Sequence, residues 1–267
     1  MQNHIIKLLL LGVLGLWFPC AAFAAMDARQ IMQQVNDRDD GDNSSADLTM
    51  TLVDKHGNER QRRIRSFNKD KGKDRQRIMF FLAPADVKDT AFLTYDYDAP
   101  ERDDDQWLYL PALKKSKRIA SSDKSGAFMG SDFNYSDITR RNLDAYDFSL
   151  VREDEVRGRK AWLIEALPKN REEMEETGYK KSLVFVDQES FVVVRAVHWT
   201  LDGNLLKYQD VPGLEKIDGI WTVTRMTMTT KKGKSTQHHT GLEFRDTRYN
   251  QDLPAEMFSV RRLEKGL

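Results

Sequence analysis

Phe80-Phe81-Leu82-Ala83-Pro84, Thr90-Ala91-Phe92-Leu93-Thr94-Tyr95-Asp96-Tyr97 and Gln106-Trp107-Leu108-Tyr109-Leu110-Pro111 are three strand-like pieces of one aromatic block. Ten aromatic residues fall in the 56 positions from Phe80 to Tyr135, nearly twice the density of the 267-residue chain. A strand with one wet face alternates, but Ile78-Met79-Phe80-Phe81-Leu82 and Trp107-Leu108-Tyr109-Leu110 are apolar on both faces. Both faces of the sheet are therefore expected to be covered there. A packed core, a partner or an enclosed apolar ligand can supply the cover, and ordinary packing suffices for the strand pattern alone.

Working outward, Leu48, Met50 and Leu52 alternate with Asp47, Thr49 and Thr51, the period of a half-buried strand. Turn dipeptides recur at His56-Gly57, Asp202-Gly203, Asp218-Gly219 and Lys232-Gly233. Between them lie β-rich segments at 161–167, 183–187, 191–200, 205–209, 220–230 and 235–248. With the aromatic block these make about ten or eleven strands. Short polar hairpins imply one large antiparallel sheet, curled or closed on itself. Asp27 is placed to cap a short helix carrying Ile31, Met32 and Val35, which the polar stretch 37–45 ends. Residues 134–142 read as a second short helix and 254–258 as a terminal turn. The chain has no internal repeat or low-complexity linker, so residues 25–267 are expected to form a single domain.

The N-terminus has the pattern of an export signal. Lys7 is the only charge before Asp27, an apolar run covers 8–18, and Pro19 precedes the small-residue site Ala22-Phe23-Ala24. Cleavage after Ala24 would remove residues 1–24 and with them Cys20, the only cysteine. The mature chain would then hold no disulfide, thiol nucleophile or thiolate metal site. The expected address is the periplasm, with the protein soluble after Sec export. The remaining 243 residues are enough to bury a core without staples. Acidic and basic residues balance at 42 each, which argues against nucleic acid as a partner. The run Lys114-Lys115-Ser116-Lys117-Arg118 reads as a solvated hairpin end or a site for anionic headgroups or an acidic partner.

Catalytic constellations are thin, and the expectation is no enzyme and no cofactor. Asp96, Asp98, Asp103, Asp104 and Asp105 offer carboxylates, yet no glycine-punctuated calcium loop frames them, so an acidic hairpin tip accounts for them. His238 and His239 are adjacent on a strand, point to opposite faces and cannot share a metal. His198, beside Trp199, reads as an ordinary strand histidine. The chain lacks a Gly-x-Ser-x-Gly elbow, a phosphate loop and a dinucleotide fingerprint.

Three stretches carry a family likeness: Phe81-Leu82-Ala83-Pro84-Ala85-Asp86-Val87-Lys88-Asp89-Thr90-Ala91-Phe92-Leu93, Asp105-Gln106-Trp107-Leu108-Tyr109-Leu110-Pro111-Ala112 and Ser125-Gly126-Ala127-Phe128-Met129-Gly130-Ser131-Asp132-Phe133. The chain resembles the outer-membrane lipoprotein-sorting (LolA/LolB-like) superfamily, in the branch associated with resistance-nodulation-division type hydrophobe exporters. The resemblance covers essentially the whole mature chain. It implies an incomplete, half-open antiparallel β-barrel of about eleven strands wrapped over helices, with an apolar cavity for acyl chains. It also implies a carrier of lipid or lipid-modified protein that is accessory to an inner-membrane exporter and serves outer-membrane sorting. The family's lid-latching strand arginine has six candidates here, Arg60, Arg62, Arg63, Arg65, Arg75 and Arg77.

The residues expected at the cavity or its lid are Leu48, Met50, Leu52, Phe80, Phe92, Leu93, Trp107, Tyr109, Phe128, Met129 and Phe133. Methionines suit a cavity that changes shape with its guest. The stretch 126–133 sets Phe128, Met129 and Phe133 between glycines, which fits a lid over the mouth or a packed loop. The alternative function is an interaction module that docks its aromatic surface on an exporter complex and holds no ligand.

Overall fold

The structure is a computed structural model that describes residues 26–267. The expected signal peptide, 1–24, lies outside the described residues. Among the described residues no helix is long and apolar enough to cross a membrane.

The chain opens with α1 (Ala28–Asp37), closed by the anticipated cap. The Asp27 carboxylate accepts the Gln30 amide at 2.8 Å, and the Gln30 side chain accepts the Asp27 amide at 2.9 Å. A meander follows: β1 (Asn43–Asp54), β2 (Glu59–Lys71), β3 (Asp74–Ala83), β4 (Ala91–Asp96), β5 (Asp105–Leu110) and β6 (Lys115–Arg118). After a long connection come β7 (Tyr146–Val156), β8 (Arg159–Pro168), α2 (Arg171–Thr177), β9 (Tyr179–Asp187), β10 (Val193–Thr200), β11 (Leu206–Ile217), β12 (Ile220–Lys232) and β13 (Ser235–Tyr249). A short helix, α3 (Val260–Lys265), ends the chain.

All strands join one antiparallel sheet in the order β6-β5-β4-β3-β2-β1-β13-β12-β11-β10-β9-β8-β7. The two meanders meet where β1 pairs with β13, with Leu48 opposite Phe244 and Met50 opposite Leu242. Strands β6 and β7 are left as free edges, so the sheet is open. Each of the four anticipated glycine turns lies at a hairpin. At the β11–β12 turn both Asp218 and Gly219 have positive φ, the backbone a two-residue primed turn requires.

Thirteen strands replace the expected ten or eleven. The additional ones, β2, β6 and β7, are charged. On β6 and β7 the charge belongs to edge strands, where unpaired backbone is protected from further pairing. On β2 the polar residues serve the interior, as described below. Two further expectations change. Residues 134–142 hold a single 3₁₀ turn at Tyr135–Ile138 and no α-helix, and the terminal turn continues into α3.

The sheet buries both faces of its aromatic half. On the inner face Leu48, Met50, Leu52, Ile64, Met79, Phe81, Phe92, Leu108 and Met228 form one cluster with Phe128 and Phe133. On the outer face Phe67, Ile78, Phe80, Ala91 and Leu93 pack under Leu253, Phe258 and Leu263 of the C-terminal segment. A third cluster joins Ile31 and Met32 of α1 to Ile164, Val184, Val186 and Ala196.

Candidate functional site

Residues 119–145 run from one free edge of the sheet to the other. This strap is packed inside and does not sit as a loose cover: Phe128 is 1% exposed and Phe133 4%. The ring of Phe128 meets Phe92 edge-on at 5.0 Å and Tyr135 at 5.5 Å. Its turn closes on itself, with the Phe128 amide donating to the Phe133 carbonyl at 2.7 Å and Met129 and Gly130 at positive φ. Of the two readings of this stretch, the packed loop is the one observed.

Polar groups from both halves of the sheet hold the strap. Arg62 on β2 donates to the Met129 carbonyl, and Arg77 on β3 donates to the Ile138 carbonyl at 2.9 Å. These two of the six candidate arginines touch the strap backbone, and β2 is polar inward partly for this reason. Gln106 on β5 donates to the Tyr135 carbonyl at 3.0 Å. From the other half, Thr240, His238 and Thr230 bond the buried Asp132 carboxylate, the first two at 2.6 Å. Lys207 on β11 donates to the Asp132 carbonyl and the Asn134 side chain, each at 2.6 Å. Burial pulls the Lys207 ammonium below its usual pKa, and Asp137 and Asp132 oppose that shift.

Two hollows flank the strap. The first, about 390 Å³, is lined on its apolar side by Ala46, Leu48 and Met50 of β1, Met79 of β3, Met226 of β12, and Leu242 and Phe244 of β13. Phe128, Phe133 and Ile138 form its strap wall. Its size falls within the range of small-molecule pockets, roughly 300–1,000 Å³. The second, about 600 Å³, is more polar and lies among α1, α2, the 96–104 loop, the end of the strap and the β9–β10 pair. Asp96, Phe133, Asp137, Thr139, Arg140 and Met226 line both hollows, so the two adjoin.

The structure divides the expected site residues. Leu48, Met50, Phe128 and Phe133 line the apolar hollow. Leu52 and Phe92 belong to the same inner cluster, with Met129 packed against it, but do not line the hollow. Phe80, Leu93, Trp107 and Tyr109 lie on the outer face beneath the C-terminal segment and cannot reach it. Trp107 there meets Tyr95 edge-on at 5.1 Å. Because neighbours on a strand alternate, Phe92 and Leu93 could never have shared one cavity. Arg62 and Arg77 stand among the six candidate arginines, whereas Asp132 and Lys207 have no counterpart among the expected site residues. Their signal was a polar side chain at an inward position of a buried strand or inside an apolar loop.

The acidic tip is spoken for. Asp96 pairs with Arg140 at 3.1 Å, Asp105 binds Arg118 and the Tyr97 hydroxyl, and Asp103 accepts from Ser121 at 2.8 Å. Asp104 accepts the Tyr97 amide at 3.0 Å, and burial pushes its carboxyl up to about 6. His238 reaches Asp132 while His239 reaches Thr229, on opposite faces as expected. His198 is deep in the fold, 4% exposed, stacked on Tyr179 and hydrogen-bonded through Nδ1 to Ser182 at 2.8 Å. The basic run lies at the exposed β5–β6 hairpin end, with Leu113 bare at its tip.

A family model described as "Uncharacterized protein" matches residues 73–265. No curated protein matches the chain. A DUF1329 family protein from Desulfovibrio piger is 30% identical, with a TM-score of 0.80 over 88% of this chain and 97% of that one. A protein from Vibrio parahaemolyticus, described as an outer membrane lipoprotein-sorting domain, is also 30% identical, with a TM-score of 0.79 over 89% and 98%. A LolA superfamily protein from Nitrosomonas europaea shares 20% identity and the fold, with a TM-score of 0.65 over 89% and 100%.

Proposed function

We propose, on the premise that this chain belongs to the DUF1329 family, that it is a carrier of lipid or of an acylated protein in the cell envelope. One observation carries the reading: a hollow of about 390 Å³ lies inside the open sheet beside the strap, apolar along the wall of Leu48, Met50, Met79, Met226 and Phe244 and polar where Asn68, Arg75, Arg77 and Arg140 line it. An alkyl chain leaving water for such a hollow gains roughly 0.8 kcal/mol per buried methylene. Binding of that kind needs shape and grease, not a catalytic constellation, so the proposal assigns no reaction. The adaptable side chains Met50, Met79 and Met226 around the hollow suit guests of differing length.

The lipoprotein-sorting description of the Vibrio relative supports the same reading and a periplasmic address. An inner-membrane exporter of the resistance-nodulation-division type is the proposed partner, on motif resemblance. Tight burial of a tail makes release slow, so a carrier needs an acceptor or an energised partner to unload it. The alternative, a ligand-free module docking through its aromatic strands, is disfavoured because those strands already pack under Leu253, Phe258 and Leu263.

Native mass spectrometry of protein purified from a membrane-containing lysate tests the proposal. The expected result is a bound species with the mass of a lipid, lost on delipidation and regained on adding lipid. Protein that is clean as isolated and takes up no alkyl ligand would refute it.

A further inference from the structure

The larger hollow has unused chemistry. Among its lining carboxylates, Asp37, Asp103, Asp104, Asp137, Glu172 and Glu173 have no basic side chain within ion-pair distance, although Asp103, Asp104 and Asp137 accept hydrogen bonds from Ser121, Tyr97 and Tyr179. Two guanidiniums in the lining, Arg102 and Arg141, likewise have no carboxylate partner. The surplus is negative. Yet three buried polar atoms of the lining residues also lack a hydrogen-bond partner: Nη1 of Arg29, Nη1 of Arg141 and Nε2 of His198. His198 is 96% buried, and its other nitrogen is held by Ser182. A buried polar atom is ordinarily hydrogen-bonded, so each of these has room for a partner that the protein itself does not supply.

Resting on the carrier reading, we propose that this hollow binds the polar head of the amphiphile whose tail fills the adjoining apolar hollow. The head is zwitterionic, an ammonium group beside a phosphate. A purely anionic head would face the surplus of carboxylates. A purely cationic head would leave Arg141 and His198 unsatisfied. Only a head with both signs answers both features.

The placement of the groups suits such a head. The Arg141 guanidinium lies 4.8 Å over the Tyr146 ring, which holds it without neutralising it. Its charge acts on Asp137 and Glu173 as well as on His198, so positive and negative groups stand close together. Burial raises the carboxyls of Asp137 and Glu173, and an ammonium nearby would draw them back to the ionised form. His198 is kept neutral by burial and by Arg141 and Lys207, so Nε2 is available as a hydrogen-bonding atom without adding charge. The shared wall at Phe133, Thr139 and Met226 gives a continuous path from head to tail.

Displacement of a fluorescent fatty acid from the full mature chain tests this, using three lipids with identical short acyl chains: a phosphoethanolamine lipid, a phosphoglycerol lipid and a diacylglycerol. The phosphoethanolamine lipid is expected to bind at least tenfold tighter than either of the others. Glu173→Gln should narrow its lead over the phosphoglycerol lipid. Arg141→Gln should weaken both phospholipids and leave diacylglycerol unchanged, which also shows that the variant is folded. Equal binding of all three lipids, or tighter binding of the phosphoglycerol lipid, overturns the head-group assignment and leaves the carrier reading standing. Binding of none of them overturns both.

Discussion

The Lys207 ammonium on β11 donates at 2.6 Å to the main-chain carbonyl of Asp132, 75 residues earlier in the chain. With it, the strap that spans the open side of the sheet is tied to the second meander. Arg62 and Arg77 tie it to the first. A segment held from both sides through its backbone is part of the core, and the free space lies beside it. On the carrier proposal a ligand sits next to the strap, and the strap need not swing away to admit it.

Lys207→Ala removes a buried donor and leaves the Asp132 carbonyl and the Asn134 side chain without it. The expected loss is about 2–4 kcal/mol of unfolding free energy. Urea denaturation checks this. A loss under about 0.5 kcal/mol, the size of a surface change, would mean that the latch is ornamental.

Phe128→Ala empties the middle of the strap cluster formed with Phe81, Phe92 and Tyr135. A fully buried ring of this kind is worth about 3–5 kcal/mol. The variant should melt well below the parent. A near-unchanged melting temperature would show that the strap is not packed as described.

Trp107 separates the two faces of the sheet. It packs on the outer face against Tyr95, whose hydroxyl donates to the Phe258 carbonyl at 2.7 Å. Trp107→Ala should cost about 2 kcal/mol, below the range for a fully buried ring because it is half-buried. Uptake of an alkyl probe should not change. A large fall in uptake with stability retained would put Trp107 in the cavity after all.

Asp104 gives a pH signature. Burial, aided by Asp96, raises its carboxyl from 3.8 to about 6, so the folded chain holds a proton that the unfolded chain has already released. Its ionisation therefore subtracts stability as pH climbs from about 4 to above 6. Asp104→Asn keeps an oxygen for the Tyr97 amide and removes that cost. The variant should be more stable than the parent at pH 7.5, on the order of 1 kcal/mol, with the gap closing below pH 4. A gap that stays constant from pH 4 to 8 would contradict the assignment.

Much of this fold was legible in the sequence because apolar alternation and glycine turns report directly on antiparallel hairpins. Leu48-Met50-Leu52 and the Asp218-Gly219 turn are where the pattern put them. What failed was charge. Strand β2 carries Arg62 inward to meet a strap carbonyl, and the edges β6 and β7 are polar because nothing further pairs with them. Both departures depend on tertiary neighbours that a local window does not contain. The candidate site was half legible for a related reason. A strand apolar on both faces gives no sign of which face is hollow, so Phe80, Leu93, Trp107 and Tyr109 were grouped with Leu48 and Met50 although the C-terminal segment covers them.

The most direct measurement is the titration of a fluorescent fatty acid into the delipidated protein, in parallel with Met226→Trp, which enlarges a side chain that lines both hollows. The account predicts saturable one-to-one uptake by the parent and a loss of at least tenfold in the folded variant. No uptake by the parent, or equal uptake by a folded Met226→Trp, would contradict it.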